Sequence, residues 1–193
     1  MADDASGDKP TRITMVDPLQ TTGRTRALLD ASAAKRGRVS SMVRVLACSP
    51  AAVAGYFSLH ASLNGGVLSA GLRERIAIAV AQANCCDTCL AAHTEFGRME
   101  GVTPDELEVA RDGSSSDPAM ATALGFALSV MRTIGHVSDA ELAVVRAAGF
   151  NDAAILEITA CVFMNVFTNA VNHLAETTPD YPPVLPRREN NRR

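Results

Sequence analysis

A chain of 193 residues with 18 Lys and Arg against 21 Asp and Glu, a formal charge of -3, has no basic excess for binding nucleic acid or an anionic membrane surface. It is long enough to bury a core without disulfide staples. Five cysteines at irregular spacing, a polar acidic start without an apolar leader, and no window that reads as a membrane span lead to the expectation of a cytoplasmic protein.

Alanine is abundant, Trp is absent, and apolar residues recur at three- and four-residue spacings rather than in alternation, so the expected fold class is all-α. Residues 1–20 read as a disordered N-terminal arm and 21–178 as a single all-helical domain. Residues 179–193 read as an extended tail, because Pro182, Pro183 and Pro186 cannot continue a helix. Within the domain the pattern predicts helices over about 22–36, 40–47, 50–63, 69–83, 85–99, 103–111, 117–133, 138–148 and 151–175. Thr103-Pro104 and Asp117-Pro118 put a capping residue ahead of a proline at the first helical position, Ser138 and Glu141 have capping-box spacing, and Asn151 heads the last helix. Gly37, Gly101, Gly113, Gly135 and Gly149 mark stops. The polar segment 113–117, G-S-S-S-D, is the candidate flexible joint between two pseudo-repeated halves.

The chemistry concentrates between Glu74 and His93. Cys86, Cys89 and His93 are spaced by three and four residues and share one face of a helix starting near Asn84. Asn84 as cap would leave Cys86 in the first turn, where free N–H groups and the helix dipole favour thiolate. Glu74 would lie about 18 Å from Cys86 along a continuous helix. A hairpin turning near Asn84 instead brings it level with His93, so that a carboxylate, an imidazole and a dithiol form a proton relay ending at sulfur. Two other readings stand beside this one: a pair of buried small thiols, or a zinc site made by Cys86, Cys89 and His93 with Cys85 or Glu74.

The remaining candidates are weaker. His60 reads as a partly buried packing histidine, His136 as exposed, Cys48 and Cys161 as core, and Cys85 as a thiol pointing off the working face. Asn165, Asn169 and Asn172 lie with His173 on an otherwise apolar helix and need partners, in the opposite half or in a neighbouring subunit.

The pattern Glu74, eleven residues, Cys86, two residues, Cys89, three residues, His93 resembles the signature of the AhpD-like alkylhydroperoxidases within the carboxymuconolactone decarboxylase family. The resemblance runs over roughly residues 20–183 and includes N-A-V-N-H-L-A-E-T-T-P-D-Y-P. It implies an AhpD-like helical domain with thiol peroxidase activity. In that scheme Cys89 attacks the peroxide and becomes sulfenic acid, Cys86 donates a proton and closes the disulfide, and Glu74 and His93 form the relay. It also implies a hydroperoxide substrate, an external dithiol reductant of lipoyl or thioredoxin type, and a homo-oligomer, trimer or hexamer, with no cofactor and no metal. Where the best-known members carry a second histidine, this chain has Thr88, which cannot serve as a base near neutral pH. The alternative is the decarboxylase branch, a lyase acting on a small lactone or acid, whose chemistry makes no use of a dithiol.

Overall fold

Nine α-helices and no strand are found among the described residues, 11–187 of the computed structural model apart from the side chains of Lys35 and Arg36. They are α1 (Gly23–Arg36), α2 (Ser41–Leu46), α3 (Pro50–Asn64), α4 (Ala70–Ala83), α5 (Asp87–Met99), α6 (Pro104–Ala110), α7 (Pro118–Thr133), α8 (Asp139–Ala147) and α9 (Asp152–Ala175). Local signals set most boundaries. The side chains of Thr103, Asp117 and Asn151 accept backbone N–H groups at their helix starts, and Ser138 with Glu141 closes a capping box. All five stop glycines take left-handed backbone.

The core forms around α4, because Ile76 to Ala81 are buried without a break. A helix that is apolar on every side must be covered on every side, and α5, α7 and α9 do this. Each fully buried Ile or Leu there contributes roughly 1.5–3 kcal/mol. A second, smaller cluster gathers Leu29, Val43, Leu46 and Val53 from α1, α2 and α3, with Val171 of α9 against it. Thus α9 joins the two clusters. By length and composition α9 passes as a membrane span, contrary to the expectation that no window would. It also carries buried Asn165, Thr168, Asn169 and Asn172 and packs on α4, α7, α2 and α3, the position of a core helix.

Residues 1–10 of the expected N-terminal arm lie outside the described residues. Residues 11–20 run against the body, where Arg12 N–H donates to the Ala175 carbonyl at 2.8 Å and Val16 packs into the smaller cluster. Residues 188–193 of the expected tail also lie outside the described residues; up to 187 the tail is non-helical and docked, where Val184 packs on the main core and Gln82 Nε2 donates to the Arg187 carbonyl at 2.8 Å.

The segment 113–117 is pinned rather than loose. Glu106 accepts from Ser115 Oγ at 2.6 Å and from Ser116 N–H at 2.8 Å, with Arg75 Nη1 3.6 Å away. These donors, Ser115 first, hold the Glu106 carboxyl far below the usual range, at about 2. A depressed folded-state value adds stability above the ordinary carboxylate range, and that stability disappears as pH falls toward about 2. Glu106→Gln should therefore lower the urea midpoint at neutral pH, and the difference from wild type should vanish between about pH 4.5 and pH 2. A difference that persists unchanged at low pH would assign the effect to packing instead.

Candidate active site

The turn between α4 and α5 sets the geometry of the dithiol. Asn84 does not cap α5, as the sequence reading had it; it ends α4, and Cys86 itself is the N-cap of α5. The reason lies in Cys85, whose φ of 54° is the left-handed residue that the reversal requires, so that the second helix starts two residues later. Asn84 is instead clamped by α9: its Nδ2 donates to Asn169 Oδ1 at 2.9 Å, and its carbonyl accepts from His173 Nε2 at 2.9 Å. Cys85 is exposed, off the site.

Cys86 Sγ accepts the backbone N–H of Cys89 at 3.3 Å, which supplies the helix-terminal donor expected from the sequence. The two sulfurs lie at disulfide distance, with the Cα atoms 5.4 Å apart. Cys89 Sγ in turn accepts from Asn172 Nδ2 at 3.1 Å.

The hairpin brings Glu74 and His93 together as the helical rise predicts, and Glu74 Oε2 meets His93 Nδ1 at 2.7 Å. Gly97 makes room for α6, since a Cβ there would fall 2.5 Å from Leu107 Cδ2, whereas Glu74 Cβ would be in ordinary contact at 3.8 Å. The Glu74–His93 pair fixes one imidazole nitrogen and leaves Nε2 for proton transfer.

Glu74, His93 and Cys89 open on one cavity of about 410 Å³, whereas Cys86 is not part of its wall. The cavity is mostly apolar, with Tyr56, Phe57, Phe96 and Tyr181 in its lining. Its roof is built by the segment after α9. Asp180 accepts from Ser41 N–H at 2.8 Å and Ser41 Oγ at 3.0 Å, and Arg38 donates to the Asp180 carbonyl at 2.7 Å and covers the Tyr181 ring. Tyr181 meets Phe96 edge-on, and Phe96 meets His93 in the same way.

Other expectations sort differently. His60 belongs to the cavity wall rather than to packing alone. Cys48 is exposed, not core, and its thiol donates to the Thr14 carbonyl at 2.8 Å. Cys161 is buried at the cavity wall, and burial pushes its thiol up to about 12, which keeps it protonated and inert. The α9 asparagines find partners within the chain, Asn165 on the Cys161 carbonyl, Asn169 Oδ1 on Asn84 and Asn172 on Cys89, while the buried Asn169 Nδ2 has none. Among the described residues, no group of three or more His, Cys, Asp or Glu is placed to hold a metal ion.

Residues 50–133, from α3 through α7, match the carboxymuconolactone decarboxylase family. The fold is that of an AhpD core from Ralstonia eutropha JMP134, an uncharacterized peroxidase-related protein with TM-score 0.81 and 24% identity over 89% of this chain and 93% of that one. The α3–α7 segment is thus similar to the carboxymuconolactone decarboxylase family, and the chain as a whole shares the AhpD-core fold. A second solved structure, an uncharacterized peroxidase-related protein from Silicibacter sp. TM1040, superposes with TM-score 0.75 at 25% identity, covering 89% of this chain and 94% of its own. The debrominase Bmp8, solved with 2,3,4-tribromopyrrole, shares the fold with TM-score 0.75 at 14% identity, over 90% of this chain and 94% of that one. No curated protein matches the chain. The partial family match and the shared fold agree on an all-α scaffold with the Cys86–Cys89 pair at its α4–α5 turn.

Proposed function

We propose that the protein is a thiol-dependent peroxidase that reduces organic hydroperoxides at Cys89 and is reset by an external dithiol. One observation carries this reading: a Cys86–Cys89 pair at disulfide distance whose Cys89 member opens on a cavity shared with the hydrogen-bonded Glu74–His93 pair. His93 takes the Cys89 proton, and the thiolate attacks the terminal oxygen of the hydroperoxide. The O–O bond breaks, Cys89 becomes sulfenic acid, and the departing alkoxide takes the Cys86 proton and leaves as alcohol. The Cys86 thiolate then attacks the Cys89 sulfur, and the expelled hydroxide takes the proton from His93 and leaves as water. The disulfide accepts two electrons from a dithiol of lipoyl or thioredoxin type, which restores both thiols.

The decarboxylase reading has no use for the Cys86–Cys89 dithiol. The size and lining of the cavity favour a bulky apolar peroxide over hydrogen peroxide. Self-association belongs to the same proposal, because α9 presents Leu156, Phe167 and Leu174 outward, with exposures of 69%, 42% and 57%.

The deciding experiment is a steady-state assay of peroxide loss with dihydrolipoamide and, separately, with thioredoxin. Cumene hydroperoxide should exceed hydrogen peroxide in kcat/KM by about 10- to 100-fold, the worth of burying one aromatic ring. Oxidation of neither reductant in the presence of either peroxide would overturn the assignment.

A further inference from the structure

Two buried sulfurs meet two different donors. Cys86 takes a backbone N–H from its own helix end, while the donor to Cys89 comes from α9, 83 residues away in sequence. That donor, Asn172 Nδ2, is held by a relay of short polar contacts. Thr177 Oγ1 stands 2.6 Å from Asn172 Oδ1, and Thr88 Oγ1 donates to the Thr177 carbonyl at 3.0 Å. The set is buried, with exposures of 3% for Cys89, 6% for Asn172, 8% for Thr177 and 5% for Thr88, and Cys89, Asn172 and Thr88 border the cavity from below its surface.

The amide has one sensible orientation. A disulfide or thiolate sulfur carries no proton, so turning Oδ1 toward Cys89 would set two acceptors against each other. With Nδ2 toward sulfur, Oδ1 is free to accept the Thr177 hydroxyl proton. The Thr88 proton is already committed to the Thr177 carbonyl, and the 3.5 Å separation of the two threonine hydroxyls leaves Asn172 as the nearer acceptor for Thr177.

An N–H aimed at sulfur does little for a thiol or a disulfide and much for a thiolate, because the bond is then charge-assisted. Burial strengthens it further. The donor therefore favours the ionised form of Cys89 and lowers its titration midpoint. Resting on the reading of Cys89 as the attacking thiol, we propose that Asn172 is a catalytic residue that stabilises the Cys89 thiolate through Nδ2, with Thr177 and Thr88 as the positioning residues that aim its amide. Thr88, beside the second cysteine, turns away to the 177 segment, and the support for the sulfur arrives from α9. The same contact stabilises Cys89 as the departing thiolate when the disulfide is reduced.

The test follows the pH dependence of Cys89 alkylation by iodoacetamide, quantified by peptide mass spectrometry in full-length protein carrying Cys86→Ser so that no disulfide forms. Adding Asn172→Leu, which removes the donor at similar volume, should raise the Cys89 midpoint by about 1 to 2 pH units, a roughly 10- to 100-fold loss of thiolate at neutral pH, the range for a hydrogen bond to a charged group. Asn172→Asp should raise it further, since a carboxylate is an acceptor with a like charge. Thr177→Val keeps the amide and removes its orienting proton, so an intermediate rise is expected, and this variant decides the matter if Asn172→Leu fails to fold. An unchanged midpoint in Asn172→Leu and Thr177→Val proteins that keep the wild-type circular dichroism melt would overturn the inference. Peroxide consumption by the unmodified chain is scored separately. A midpoint that follows Asn172 in a chain that consumes no peroxide refutes the peroxidase and leaves this inference standing, whereas turnover with an immovable midpoint does the reverse.

Discussion

Cys89→Ser is expected to bring peroxide consumption down to the uncatalysed background, whereas Cys86→Ser should leave a sulfenic acid trapped on Cys89. The asymmetry follows from position. Cys89 forms part of the cavity wall and Cys86 lies behind it, so an entering peroxide meets the Cys89 sulfur first. A hydroxyl at position 89 cannot ionise near neutral pH, and the first step has no substitute. A hydroxyl at position 86 can still pass a proton to the leaving alkoxide but cannot close a disulfide, so the oxidised Cys89 waits for an external thiol. Helix-end electrostatics alone would have pointed to Cys86, which accepts the N–H at the start of α5. Access to substrate and the Asn172 contact weigh against that assignment. The measurement is mass-spectrometric detection of a sulfenic-acid probe after one equivalent of peroxide. Labelling of Cys86 in the Cys89→Ser variant would reverse the roles.

The nine helices were legible in the sequence because their ends are encoded locally. A proline after Thr103 or Asp117, a Ser138–Glu141 box and a glycine past a helix end each act over four residues or fewer. The Glu74–His93 contact was legible for a different reason: equal rises from one turn bring equidistant residues level, whatever the side chains between them. What escaped depends on backbone choices or contacts that no local pattern records. A cysteine in left-handed backbone is unusual, so nothing marked Cys85 as the reversal point or moved the cap from Asn84 to Cys86. The roof of the cavity joins Ser41 to Asp180 across 139 residues, and Arg38 and Tyr181 gave no sign of belonging to one wall. Cys48 read as core by residue type alone, yet it sits at the surface against the segment that precedes α1. The α9 asparagines were conspicuous as polar residues on an apolar helix. Their partners became definite only once the α4–α5 turn was in place beside them.

Glu74→Gln is the second change with a large expected effect, and it separates charge from architecture. Glutamine preserves the size of the side chain and can still accept from His93 Nδ1, so the 2.7 Å contact and the packing beside Gly97 survive. What disappears is the negative charge that stabilises the imidazolium formed when His93 takes the Cys89 proton. The rate of thiol oxidation by peroxide should fall on the order of 10²-fold, the usual worth of a positioned acid or base. Thermal stability should change little, because the pair is partly exposed, with side-chain exposures of 21% for His93 and 15% for Glu74, and the buried α4 core is untouched. Stopped-flow oxidation of the reduced protein between about pH 6 and pH 8 reads the rate, and a thermal melt reads the stability. A variant that reacts at the wild-type rate throughout that range would make Glu74 a structural charge and reduce the site to a dithiol with a histidine beside it.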